Sequence, residues 1–246
     1  LEDLLKQHGG EVGCIIMEPM RSEDPPEGYL EGVRKLATRY RVVLIFDEVS
    51  SGFRIALGGV QEYTGVIPDI SVFAKAISNG YPMGAVVGKR DVMAPAAQMF
   101  VSSAYWDDNV GIAAALITLK ELERRDAVSH FERIGTSFKE RINRAAQETG
   151  LDAECFGVPG HPSTRFNFED GVTAKKLQTL FAQETEKRGV IMGNFLNCAH
   201  DEAALDHTET AVRESFEVIK EALDRDGLDD LMETEVQEEF FRRLVR

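Results

Sequence analysis

The chain has 246 residues, 43% hydrophobic and 28% charged, a balance that supports a packed core and excludes the fibrous and disordered classes. Its net charge of −14 opposes broad binding to nucleic acid or to an anionic membrane, since either polyanion would repel it. Cys14, Cys155 and Cys198 lie in no metal-ligand or redox spacing, and neither a secretory leader nor a membrane-length apolar run is visible, so a soluble cytoplasmic protein is expected.

The sequence opens on Leu1 and enters a strand pattern by Val12, which fits an opening inside a domain. Residues 13–19, Gly-Cys-Ile-Ile-Met-Glu-Pro, form an apolar run ended by proline, the pattern of a buried strand. Tyr29, Leu30, Val33, Leu36 and Ala37 recur at helical spacing and predict a helix over 27–40. Residues 42–49, Val-Val-Leu-Ile-Phe-Asp-Glu-Val, are apolar up to a pair of acids, as in a central strand covered on both faces. The glycine-rich stretch 52–68 predicts a long loop with room for one helical turn, and 70–74 and 84–88 predict two short strands. Strand, helix and strand in this order predict a mainly parallel α/β sheet.

Beyond Asn109 the pattern is helical to about Thr149, with Gly150 as its stop. Short strands are expected in 156–168 around the turn Gly157-Val-Pro-Gly160. Thr173 is the expected N-cap of a helix running to Lys187, with Gly189 at its far end. A strand is expected over 190–198, then an amphipathic helix over 201–225 with Val212, Phe216, Ile219 and Leu223 in the core. The domain division is expected in the helical stretch after Asn109.

Two polar groups stand where an α/β sheet places function, at the carboxyl ends of strands: Asp47-Glu48 and Lys75. A turn signal, Ser78-Asn-Gly80 with Pro82, follows the lysine. An amine and a carboxylate so placed suit a cofactor that joins an aldehyde to a pyridine ring. The lysine forms and releases a Schiff base, and the carboxylate keeps the ring nitrogen protonated so that the ring accepts electrons. Position alone carries less: a lysine after a strand is usually a solvated surface residue, and an Asp-Glu pair there is commonly a loop cap or a metal-facing acid. An apolar strand ending in Asp-Glu also fits the magnesium-binding strand of a P-loop ATPase, whose partner motif would be G-x-x-x-x-G-K-[ST]. The nearest stretch, Gly84-Ala-Val-Val-Gly88-Lys89-Arg90, has the wrong spacing and no hydroxyl after the lysine. His200 and His207 read as part of a solvated helix face, and no metal site is expected.

The stretch Val42-Val-Leu-Ile-Phe-Asp-Glu-Val-Ser-Ser-Gly-Phe-Arg54 resembles the aspartate strand of class III aminotransferases. Ala56-Leu-Gly-Gly-Val-Gln-Glu-Tyr-Thr-Gly65 and Pro68-Asp69 continue the likeness, and Ala74-Lys75-Ala-Ile-Ser-Asn-Gly80 resembles the cofactor-lysine segment. Glu18-Pro19, Gly28-Tyr-Leu-Glu31, Tyr105-Trp106, Ala113-Ala-Ala115 and Ala199-His200 extend it over nearly the whole chain. Within the class, the resemblance is nearest to glutamate-1-semialdehyde aminomutase-like members.

The resemblance implies an α/β fold. Residues 1–120 would be the C-terminal part of a PLP-dependent transferase (aspartate aminotransferase-like) large domain, and 121–246 a small C-terminal α/β domain. Together they would make up about 60% of such an enzyme. It implies pyridoxal 5'-phosphate as cofactor, amino-group transfer between a small-molecule amino donor and a carbonyl acceptor, and a homodimer. Lys75 would form the internal aldimine and shuttle the proton, Asp47 would pair with the pyridine nitrogen, and Val49 would pack on the ring. Glu18 would belong to the floor of the site, and Arg54 and Gln61 would be structural.

Three departures accompany the likeness. The family's phosphate-cradling turn and ring-stacking aromatic, which belong upstream of the acid strand, have no counterpart here. The threonine that reaches the neighbouring subunit's phosphate aligns with Ala104, leaving Ser103 to donate that bond. Gly193-Asn-Phe-Leu-Asn197 lacks the acid of the tetrapyrrole-pathway mutase, which favours ordinary transamination or a specialised relative acting on another substrate. Two alternatives stand beside this reading: a catalytically incomplete fragment or degenerate homologue, and an ATPase fragment.

Overall fold

The computed structural model describes residues 1–102, 106, 108–193 and 196–237. Its contacts divide the chain into two compact units, Leu1–Phe131 and Glu132–Arg246.

In the first unit, helix α1 (Glu2–His8) is followed by strand β1 (Cys14–Met17), helix α2 (Tyr29–Tyr40) and strand β2 (Val43–Asp47). The short helix α3 (Val60–Thr64) leads to β3 (Ile70–Phe73), a 3-10 turn (Lys75–Ser78) and β4 (Ala85–Gly88). Helix α4 (Arg90–Met93), a second 3-10 turn (Ala94–Gln98) and helix α5 (Asn109–Arg124) follow. The sheet order is β1-β2-β3-β4; the first three strands run parallel and β4 antiparallel, which bears out the mainly parallel sheet.

Helix α2 forms because Leu30, Val33 and Ala37 share one face, which is buried. Arg41 ends it in a left-handed conformation (φ 55°), its N–H bonded back to the carbonyls of Ala37 and Thr38, and the chain turns straight into β2. In β2 the alternate residues Leu44 and Phe46 are fully buried, while Val43, Ile45 and Asp47 are half-buried, so one face of the strand is better covered than the other. Strand β1 departs from the expected buried strand. Among the described residues β1 has β2 as its strand neighbour, Cys14 is exposed and Ile16 is 63% exposed.

Asp69, just before β3, ties the unit together. It accepts hydrogen bonds from the Leu44 N–H (2.8 Å), Arg34 Nη1 (2.9 Å) and Lys89 Nζ (2.7 Å), joining β2, α2 and the residue after β4. Burial pushes its carboxyl up, but these donors outweigh burial and hold it below the ordinary 3.8. A carboxyl lowered in the folded state stabilises above its ordinary value, and that contribution is lost as the pH falls through the lowered one. An Asp69→Asn chain should therefore unfold at lower urea than the parent at neutral pH, and the gap should narrow as the pH drops below 3.8. Urea midpoints at neutral and acid pH check this; a gap independent of pH would refute it.

The second unit holds most of helix α6 (Ala127–Thr149), the antiparallel hairpin of β5 (Ala153–Phe156) and β6 (Ser163–Phe166), and helices α7 (Gly171–Lys187), α8 (Glu202–Asp224) and α9 (Leu228–Leu231). Its core gathers Ile134, Ile142, Phe166, Phe181, Phe216 and Ile219. Arg141 on α6 bridges to Glu202 (3.0 Å), Asp206 (2.6 Å) and Glu209 (2.8 Å) on α8. Cys155 lies inside the core, and burial pushes its thiol up to about 11, so it remains a packing residue.

The structure departs from the sequence expectation at the start of α7 and among the described residues of 190–198. The N-cap of α7 is Asp170, whose carboxylate accepts from the N–H groups of Val172 and Thr173 (3.1 Å each) and from the Thr173 hydroxyl. Asp170 stands one position before the helix, where a cap must stand, whereas Thr173 is already within its first turn. Among the described residues, 190–193 and 196–198 form no strand: Ile191 projects into solvent, and no neighbouring strand supplies a ladder. No helix among the described residues is long and apolar enough to cross a membrane.

Candidate functional site

Parallel pairing of β2 with β3 sets Asp47 opposite Val72, so both strands end on the same edge of the sheet. Asp47 is the last residue of β2, and Lys75 opens the 3-10 turn that follows β3. The sheet thus brings the two residues singled out by the sequence to a common edge, the place where open α/β sheets bind ligands. Ala74 is extended while Lys75 is left-handed (φ 48°), so the chain turns sharply at the lysine. That conformation is uncommon for a residue with a side chain, and such strain gathers at functional sites.

The Lys75 side chain is exposed, and its Nζ donates to Ser50 Oγ at 2.8 Å. Asp47 is half-buried, and its Oδ1 accepts the Val49 N–H at 3.0 Å, closing a tight turn at the strand end. Val49 is also half-buried.

The second acid of the pair does different work. Glu48 is fully buried, and its N–H donates to the Val72 carbonyl (2.9 Å), extending the tie between β2 and β3. Its carboxylate accepts from the Ser51 hydroxyl (3.1 Å) and from the N–H groups of Val60 (2.9 Å) and Gln61 (3.4 Å). Burial pushes this carboxyl up, against the pull of the three donors. Glu48 is therefore the loop cap that an acid pair after a strand commonly supplies, and it fastens the start of α3 to the end of β2. Arg54, half-buried with its guanidinium lowered by desolvation, donates from Nε to the Ser50 carbonyl at 2.9 Å. Phe53, left-handed at φ 66°, sets its ring 5.2 Å from that of Phe73 on β3. The whole turn after Asp47 is held by these contacts.

The remaining sequence candidates fall elsewhere. Glu18 is exposed and paired with Arg21 at 2.9 Å. Lys89 is taken up by Asp69. Ser103 and Ala104 lie outside the described residues. Beyond Lys75, Ser78, Asn79 and Tyr81 line an open groove of about 480 Å³ with Asn109, Val110 and Ala113 of α5. Among the described residues, no group of three or more His, Cys, Asp and Glu side chains could hold a metal.

Sequence reasoning missed Ser50, and it offered the loop cap for the acid pair without assigning it to Glu48. A hydroxyl three places after a strand-end acid was visible, but its approach to Lys75 crosses 25 positions of sequence. An amine and a carboxylate on neighbouring strand ends, with a half-buried valine beside the carboxylate, make a donor set that fits an aldehyde cofactor with a basic ring nitrogen.

The family model for class-III aminotransferases matches residues 1–223. The chain is 34% identical over 234 residues to a 3-aminobutyryl-CoA aminotransferase of Cloacimonas acidaminovorans, covering 91% of this chain and 56% of that protein. It is 31% identical over 238 residues to a glutamate-1-semialdehyde 2,1-aminomutase of Methanobrevibacter smithii, covering 89% of this chain and 56% of that one. The chain thus spans little more than half the length of these curated relatives. Among solved structures, the FumI protein of Sphingopyxis sp. MTA144, in its PLP internal aldimine form, superposes with a TM-score of 0.82 at 24% identity. That match covers 94% of this chain and 57% of the other, and is a likeness of fold.

Proposed function

The chain belongs to the class-III aminotransferases, and from that membership we propose that it carries the lysine-bearing part of a site for PLP-dependent amino-group transfer. The observation that carries the reading is the common edge of β2 and β3, with Asp47 ending one strand and Lys75 following the other. Residues 1–120 would belong to the cofactor-binding large domain and 121–246 to the smaller C-terminal domain.

Lys75 would hold pyridoxal 5'-phosphate through its amine, Asp47 would keep the ring nitrogen charged, and Val49 would pack against the ring. Ser103 would donate to the phosphate in place of the residue at Ala104. Bound there, the cofactor supplies an electron sink for bonds broken at the amino-bearing carbon of the substrate. Displaced by the incoming amine, Lys75 would move the proton at that carbon as general base and then acid. The substrates would be a small-molecule amino donor and a carbonyl acceptor, exchanged by ordinary transamination in a cytoplasmic homodimer. Exposed Val110, Ile112, Leu116 and Ile117 along α5 support assembly, because so apolar a helix face is ordinarily covered.

The test is covalent capture. The chain is incubated with pyridoxal 5'-phosphate, reduced with borohydride, digested and mapped by mass spectrometry. The adduct is expected on the Lys75 peptide well above other lysines, and Lys75→Ala should remove it. An adduct spread evenly over surface lysines would sink the reading. A second reading, that this chain alone is catalytically incomplete, is favoured by its 56% span of its relatives. It predicts capture at Lys75 without turnover of amino donors.

A further inference from the structure

The turn after Asp47 is fastened more firmly than a surface loop requires, and the residue at its tip is Ser50. Arg54 Nε grips the Ser50 carbonyl at 2.9 Å. The next residue, Ser51, is anchored through its hydroxyl to the buried Glu48 carboxylate at 3.1 Å. On the other side, the Val49 N–H is bound to Asp47 Oδ1 at 3.0 Å. These three bonds fix the backbone on either side of Ser50, and its hydroxyl meets the Lys75 amine at 2.8 Å. Lys75 has the opposite character: an exposed, long side chain with many rotamers, on a left-handed backbone.

We propose that Ser50 is a positioning residue for Lys75, its hydroxyl receiving the amine and holding it at the sheet edge whenever the amine has no covalent partner. The proposal rests on the reading of Lys75 as the cofactor lysine. A hydroxyl suits the task because it accepts a hydrogen bond from an ammonium and donates one to a neutral amine. It therefore follows the lysine through both protonation states, as a residue that carries a proton between two positions requires. A carboxylate in its place would bind the ammonium strongly and hold it there. Fixing one long side chain also shortens the search for the geometry from which bond formation proceeds.

Two variants of matched shape isolate the hydroxyl: Ser50→Thr keeps it and Ser50→Val removes it. The first measurement uses the chain without cofactor. Brief acetic anhydride labelling is followed by mass spectrometry of the Lys75 peptide, with other lysines as internal standards. Loss of this hydrogen bond should weaken the hold on the amine and speed its labelling by about three- to fivefold in Ser50→Val, while Ser50→Thr labels like the parent. The second measurement is the rate of borohydride-trapped capture of pyridoxal 5'-phosphate, expected to fall by about three- to tenfold in Ser50→Val and to be restored in Ser50→Thr.

Equal behaviour of the threonine and valine variants in the labelling assay would overturn the proposal, as would capture that Ser50→Val leaves unchanged from a reactive parent. If the parent itself captures no cofactor at Lys75, the cofactor reading falls, and the labelling arm still decides whether Ser50 holds the amine.

Discussion

A Gly59→Ala chain should lose about 2–6 kcal/mol of stability, the sum of backbone strain and a broken buried network. Gly59 precedes α3 at φ 78° and ψ −165°, a conformation essentially reserved for glycine. A side chain there costs about 1–3 kcal/mol from the backbone itself. The added methyl would also stand against both carboxylate oxygens of Glu48. Glu48 has nowhere to withdraw: it is fully buried and bound to Val60, Gln61 and Ser51. Displacing it leaves a buried acceptor and its donors unsatisfied, at about 1–3 kcal/mol more.

Gly65→Ala is the control. Gly65 is also left-handed (φ 73°), at the end of the same helix, but an added methyl would meet nothing within 4 Å. Its cost should be about 1–2 kcal/mol. Urea titrations followed by circular dichroism compare the two variants, and coincident midpoints would refute the role assigned to Glu48. Because Glu48 also anchors Ser51, Gly59→Ala should weaken cofactor capture at Lys75, whereas Gly65→Ala should leave it intact.

The second large effect lies in the other unit. Phe216 is fully buried on α8, stacked on Phe181 of α7 with ring centroids 5.2 Å apart and edge-on to Phe166 of β6 at 6.1 Å. Phe166 and Phe181 meet at 5.7 Å, which closes a three-ring cluster shared by a strand and two helices. Phe216→Ala removes the central ring and should destabilise by about 3–5 kcal/mol, through lost transfer energy and the cavity left behind. Phe216→Leu keeps much of the volume and should recover most of that loss. The urea midpoint is again the readout. An alanine variant as stable as the leucine one would show that the site collapses around the gap, and that the cluster is not the fixed core described.

Phe216 was legible because Val212, Phe216 and Ile219 repeat at helical spacing, and all three are fully buried. Strand β2 was legible from an unbroken apolar run and β3 from one interrupted by Ser71; the hairpin turn was legible from its glycines and proline, although β5 (153–156) lies ahead of the range expected for the strands. Among the described residues of 190–198 the expected strand does not form, because apolar composition marks a strand only where a neighbour offers its own hydrogen bonds. The cap of α7 was misplaced because Asp170 and Thr173 can both cap a helix, and choosing between them takes the backbone conformation.

The sequence by itself determined the family likeness, carried by ordered motifs along the chain, and it determined the positions of Asp47 and Lys75 after their strands and the helical cores, which depend on neighbours within a few residues. Tertiary structure decided the rest. The pairing of β2 with β3 brought Asp47 and Lys75 to one edge. It also divided the Asp-Glu pair, leaving Asp47 half-buried at the edge and enclosing Glu48 among Ser51, Val60 and Gln61. Ser50 acquired its place opposite the Lys75 amine in the same way. Burial and hydrogen bonding join residues far apart in the chain, and no local pattern records which distant groups will meet.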